Sequence, residues 1–159
     1  MAMPSLGEAF ESFQQEAMRL EGLPIYRVDE ETDAWAAFTA GRKPDMSFHE
    51  GWLDHVRQVV ASDRRHLRIR LLSDPPTDYE RFELEHPYPL NVAAGEEVRT
   101  LTGATELTDC WIFDRRLVYR MVYDEAGKFL SAEPLSESSA VVAEVYKLWE
   151  AGAPLLPHR

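Results

Sequence analysis

The sequence predicts an α+β protein: N-terminal helices, then a β-α-β-β-β-α unit carrying a small mixed sheet. Three observations predict it. Apolar residues recur at helical spacing in residues 8–21, 47–63 and 136–152. The run "HLRIRLL", residues 66–72, alternates Leu67, Ile69 and Leu71 with Arg68 and Arg70, a period of two that marks a strand. The segments "DCWIFD", "LVYRMVYD" and "FLSAEPL" follow one another across short turns, as the strands of a meander do. The 159 residues fit a single domain, with residues 1–45 as a helical attachment and residues 46–159 as the α+β core.

The elements follow in order. "EAFESFQQEAMRLE" places Phe10, Phe13, Ala17 and Leu20 on one helical face, and Gly22 and Pro24 end the helix. "PIYRVDE" reads as a short extended piece. "TDAWAAFTAG" reads as a helix capped by Thr32 or Asp33, with Gly41 beyond its end. In "SFHEGWLDHVRQVVASD", Ser47 and Glu50 fit a capping box, and Trp52, Val56, Val59 and Val60 form the inward stripe. His49 and His55 fall off that stripe and are expected in solvent. After the "HLRIRLL" strand, Thr77 and Glu80 fit a second capping box, opening a helix whose inward residue is Phe82. Pro87 and Pro89 interrupt that helix before Gly95. "EVRTL" is a short strand, Arg115 and Arg116 join two strands tightly, and "DEAGK" is a turn. The last helix places Val141, Val145, Leu148 and Trp149 on one face, and the tail "APLLPHR" is expected to pack back.

Composition narrows the function classes. No apolar stretch is long enough for a membrane span. The first residues lack the basic and apolar regions of a secretory signal. The single cysteine, Cys110, allows no internal disulfide, so a cytoplasmic location is expected. The formal charge of −11 disfavours direct contact with a phosphate backbone, so nucleic acid is not expected as a partner. Phosphate-loop, dinucleotide-binding, serine-elbow and zinc-helix motifs do not occur. Five dispersed histidines (49, 55, 66, 86 and 158) and one cysteine have no metal-ligand spacing, so neither a metal nor a cofactor is expected. Asp114 and Asp124 are the best candidates for acid–base work, and both sit where turn residues belong.

The densest polar segment is "SDPPTDYERFELEH", residues 73–86. Its own acids, Asp74, Asp78 and Glu80, occupy the helix N-terminus that an anion would take. The residues expected to contact a partner or ligand are Tyr79 and Arg81 on this helix, with Arg70, Asp114 and Tyr123 at neighbouring strand ends.

The blocks "SDPPTDYERFEL", "AGEEVR-L", "DCWIFD" and "VYRM-YD--GKFL-AE" resemble a family of small acidic bacterial proteins, a domain of unknown function often encoded beside helix-turn-helix regulators. Residues 66–157 also resemble one half of a phospholipase D-like domain, which implies a degenerate copy here. That family's H-x-K signature is missing, and His86 is followed by Pro87 and Tyr88. These resemblances imply a non-catalytic cytoplasmic regulatory or interaction protein with a protein partner, such as a DNA-binding regulator. A small-molecule sensor with an aromatic pocket around Trp111, Phe113, Tyr119 and Tyr123 is the alternative. A phosphoester hydrolase of unrecognised type is the third reading.

Overall fold

Six residues whose spacing predicts the end of a helix form the central strand of the sheet instead. The computed structural model describes residues 2–103 and 105–156. The helices are α1 (Leu6–Ser12), α2 (Thr32–Thr39), α3 (Glu50–Ala61), α4 (Asp78–Glu85), α5 (Pro87–Ala94) and α6 (Ser139–Ala151). The strands are β1 (Glu16–Glu21), β2 (Arg65–Leu72), β3 (Glu97–Thr102), β4 (Cys110–Phe113), β5 (Leu117–Tyr123), β6 (Phe129–Leu135) and β7 (Ala153–Pro154). They form one mixed sheet in the order β6-β5-β4-β1-β2-β3-β7, parallel at β1/β2 and β2/β3 and antiparallel elsewhere. This is the expected α+β class, with more strands than the sequence suggests. Residues 1–45 are not a helical attachment, because β1 lies between β2 and β4 and is buried along its whole length.

The two faces of the sheet differ in chemistry. One is hydrocarbon: Met18, Leu20, Leu67, Ile69, Cys110 and Ile112 pack under Val145, Tyr146 and Trp149 of α6. The other carries Ala17, Arg19 and Glu21 of β1 and His66, Arg68 and Arg70 of β2, all buried. There α1 and α3 lie over Trp111, Phe113 and Tyr119. The arginines of "HLRIRLL" therefore do not face water, as half-exposed alternation would have them. Both faces of β2 are covered.

Local details revise several expectations. Val60 is 42% exposed, and the inward residues of α3 are Leu53, Val56 and Val59. Ser47 makes no capping box with Glu50, and its amide instead donates to Asp45 Oδ1 at 2.9 Å. Thr77 does cap α4, accepting from the Glu80 amide at 3.1 Å. The Glu80 carboxylate turns the other way, accepting from the Ser73 amide and hydroxyl at 2.7 and 2.8 Å. Pro87 and Pro89 do not merely interrupt a helix. They open α5, which ends at Gly95 with φ 115°. The tail packs back as β7, and the Leu155 amide donates to Val98 O at 2.8 Å. Residues 157–159, including His158, lie outside the described residues.

Candidate functional site

Strand alternation puts three guanidinium groups into the interior on the helix-covered face, and each meets acids brought from elsewhere in the chain. Arg68 Nε donates to Glu96 Oε1 at 2.7 Å, and Arg68 Nη1 pairs with Glu21. Arg70 Nε donates to Glu83 Oε1 at 2.9 Å, and its guanidinium lies over the Tyr26 ring. Arg19 donates to the backbone carbonyls of Leu20 and Cys110 at 3.1 and 3.4 Å, to Asp109 at 3.5 Å, and to the Tyr123 hydroxyl. Tyr26, on the loop after β1, donates to Asp109 and accepts from the Gly22 and Leu23 amides at 3.1 Å. A buried charge is tolerable only when paired and hydrogen-bonded, and this layer meets that condition almost throughout.

Proton counting assigns the carboxyl states. The Tyr88 hydroxyl lies 2.8 Å from both Glu21 Oε1 and Glu83 Oε2, and it has one hydrogen to give. One of the two carboxyls must therefore hold a proton. Burial pushes Glu21 up, but Arg68 and Arg19 outweigh it and hold the group at about 2. Burial raises Glu83 to about 8; Arg70 offsets only part of this, and the Glu21 charge adds to it. Glu83 is thus the protonated partner, donating to Tyr88, which donates to Glu21. Glu96 is likewise held at about 2, because Arg68 and His66 overcome its burial. Glu31 is raised to about 7, chiefly by burial.

These shifts set a pH dependence of stability. Glu83 and Glu31 keep protons in the folded chain that the unfolded chain releases near 4.5, so their contribution is lost as pH rises toward 7–8. Glu21 and Glu96 act in the opposite sense, and their contribution is lost as pH falls from 4.5 toward 2. Stability is expected to peak near pH 5 and to fall by about 2–4 kcal/mol by pH 8. Glu83→Gln should flatten that fall, as followed by urea unfolding at several pH values. A wild-type stability that stays level or rises between pH 5 and 8 contradicts the assignment.

A cavity of about 280 Å³ opens onto this layer. Its walls include the rings of Tyr26, Trp52, Tyr79, Tyr88, Trp111 and Tyr123, and its arginine and glutamate side chains are Arg19, Arg27, Arg68, Glu21, Glu31 and Glu83. The Trp52 indole Nε1 is buried without a hydrogen-bond partner. A larger cleft of about 870 Å³ lies between the segment 105–109 and the end of β5, sharing Met121 and Tyr123 with the first. Among the described residues, no group of three or more His, Cys, Asp or Glu side chains is placed to hold a metal ion. No helix among them is long and apolar enough to cross a membrane.

The five residues expected at a site separate into two sets. Tyr79 and Tyr123 line the smaller cavity, and Arg70 lies behind it, paired with Glu83. Arg81 is exposed and pairs with Asp78 of its own helix. Asp114 is at the opposite end of the sheet, where its carboxylate accepts from the amides of Gln14, Gln15 and Glu16 at 2.9, 2.7 and 3.1 Å. Asp124 accepts from Ala126 and Lys128 amides in its own turn, both at 2.9 Å. Of the expected aromatic lining, Trp111 and Tyr123 face the cavity, whereas Phe113 and Tyr119 belong to the core under α1. His49 is not solvated as expected: its Nε2 lies 2.6 Å from Asn91 Oδ1. His55 packs against Phe10 and Trp52. Sequence reading missed Arg19, Glu21, Tyr26, Glu31, Arg68 and Tyr88. Polar residues at alternate positions of a strand covered on both faces were the available signal.

A comparison with curated proteins finds no match. Nine chains of solved structures match, among them one from "Structure of TrmBL2, an archaeal chromatin protein, shows a novel mode of DNA binding". That chain is 14% identical with a TM-score of 0.48, and the alignment covers 92% of this chain and 47% of that one. The present chain thus spans about half the length of that relative. The expectation that excludes nucleic acid is withdrawn: the DNA binding named for the similar structure belongs to that protein, but it stands against the exclusion. The physical ground of the exclusion was also too coarse. A charge of −11 is a sum over the whole chain and does not describe each patch: Arg64, Arg65, Arg115 and Arg116 stand at one end of the sheet, where Arg65 pairs with Glu97 and Arg115 with Glu16. One family agrees with the chain over residues 4–156, and the protein accordingly belongs to the family described as Domain of unknown function (DUF6879).

Proposed function

We propose that this protein is a non-catalytic, ligand-sensing domain whose small-molecule site is the aromatic cavity above the charged face of the sheet. One observation carries the reading: a cavity of about 280 Å³ is walled by seven aromatic rings and floored by the buried ion pairs of Arg19 and Arg68. Well-packed apolar residues would stabilise such an interior at least as well as ion pairs do. Convergent polar groups beside an apolar-walled cavity are the usual mark of a binding site. The non-catalytic part rests on the candidate nucleophiles. Asp114 and Asp124 are occupied by backbone amides. Cys110 faces the hydrocarbon side, and burial pushes its thiol up to about 12. A free buried thiol also suits a reducing compartment such as the cytoplasm.

Trp52 and Trp111 line the cavity, so binding has an intrinsic optical reporter. In a thermal-shift screen of amines, nucleobases, polyols and carboxylates, one chemical class should raise the melting temperature by about 5–10 °C at a hundredfold excess over its Kd. The same class should change tryptophan emission, and Trp52→Leu should weaken the response. If no class moves either signal at millimolar concentration, the reading fails.

A further inference from the structure

We infer that the cavity takes a small organic cation, an amine or quaternary ammonium, whose positive end sits against the Glu31 carboxylate and the faces of Tyr79 and Tyr26. This rests on the reading of that cavity as a ligand site and names the ligand's chemistry.

The first support is charge matching within the walls. Each buried guanidinium in the lining already has a carboxylate: Arg19 has Asp109, and Arg68 has Glu96 and Glu21, whereas Arg70 lies behind the wall against the protonated Glu83. Glu31 has none. Its Oε1 accepts from the Tyr79 hydroxyl at 2.5 Å, and among the described residues no cationic side chain forms an ion pair with it. Arg27 reaches the rim, but it is exposed and its charge is met by water. The unmatched charge in the lining is therefore a carboxylate, and its partial burial makes it costly to leave ionised without a partner.

The second support is the shape and electronic character of the walls around that carboxylate. Tyr79 touches Tyr26, at a centroid distance of 6.1 Å, and Trp35, at 5.4 Å. Trp52, Trp111 and Tyr123 close other sides of the cavity. Aromatic faces are negative and attract cations, most strongly where water is excluded. Arg68 already shows the preference, lying 5.6 Å from the Tyr88 centroid and 5.7 Å from that of Trp52.

Other charge types fit less well. An anion would have to take Arg19 or Arg68 away from its carboxylates, because their donors are committed. A neutral molecule would gain hydrogen bonds and leave Glu31 unmatched. The overall charge of −11 also raises the local concentration of cations at the surface. A volume of about 280 Å³ limits the ligand to metabolite size.

Three compounds of nearly equal shape isolate the charge: benzylamine, benzyl alcohol and benzoate. In calorimetric titrations of the full chain at pH 7.5, benzylamine should bind about tenfold more tightly than benzyl alcohol, with benzoate weakest. In Glu31→Gln, whose amide can still accept from Tyr79, the ratio of the first two constants should fall toward one. Tighter binding of benzyl alcohol or benzoate by the unaltered chain overturns the inference, and so does a ratio that Glu31→Gln leaves unchanged. If no amine binds but another class succeeds in the thermal screen, the cation inference falls and the ligand-sensing reading stands. If nothing binds in either experiment, both fall.

Discussion

Replacing Arg68 with methionine is expected to destabilise the fold by about 3–5 kcal/mol, a large share of the roughly 5–15 kcal/mol that holds a domain of this size together. The guanidinium is buried between two carboxylates, Glu96 at 2.7 Å and Glu21, and both remain ionised because it is there. Methionine replaces only the aliphatic stem and leaves two buried negative charges. They must then protonate, draw in water or force the helices apart, and each route costs free energy. Urea unfolding would show a midpoint shift with little change in slope. The triple variant with Glu21→Gln and Glu96→Gln removes the stranded charges, and it should recover at least about 2 kcal/mol of the loss. An Arg68→Met protein within about 1 kcal/mol of wild type would mean that the layer holds nothing together.

Gly127→Ala is the second large effect, expected to cost about 2–4 kcal/mol. Gly127 lies in the turn between β5 and β6 with φ 84°, a conformation that side chains resist. A Cβ there would also collide with the Ile25 carbonyl oxygen and reach 3.2 Å from Tyr26 Cα. The Arg27 amide donates to the Gly127 carbonyl at 3.0 Å, so the turn holds the loop that carries Tyr26 into the layer. Displacing that loop pulls Tyr26 from Asp109 and loosens one wall of the cavity. The variant should therefore lose ligand-induced thermal stabilisation more steeply than its own lower melting temperature requires. Gly41 has φ 75° but no atoms near its missing Cβ, so Gly41→Ala provides the control for backbone strain without collision. If the two variants behave alike, the contact with the Tyr26 loop has no role.

Local chemistry was legible wherever local chemistry decides. The alternation of Leu67, Ile69 and Leu71 reads correctly as a strand, and Thr77 reads correctly as a helix cap. Residues 16–21 misled for a physical reason. Glu, Ala, Met, Arg and Leu are all strong helix formers, and Phe13, Ala17 and Leu20 keep helical spacing into the segment. Pairing with β2 and β4 on either side overrides that preference, and both partners are distant in the chain. The charged layer escaped notice for a related reason. Arg68 in a strand looks like a solvent residue until Glu96 and Glu21 are known to arrive beside it. Tyr79 and Tyr123 reached the cavity wall, while Arg81 pairs within its own helix and Asp114 holds the chain entering β1, about a hundred residues away in sequence.

The central position of β1 has a consequence for biosynthesis. Leu20 waits for Cys110 across the antiparallel side, so one margin of the innermost strand stays bare while some ninety further residues emerge. At ribosomal speeds that interval is on the order of ten seconds. The nascent chain must carry Arg19 and Glu21, built for a dry interior, through water all that time. Their charges keep the waiting segment soluble, so the groups that furnish the finished cavity also guard the unfinished chain against aggregation.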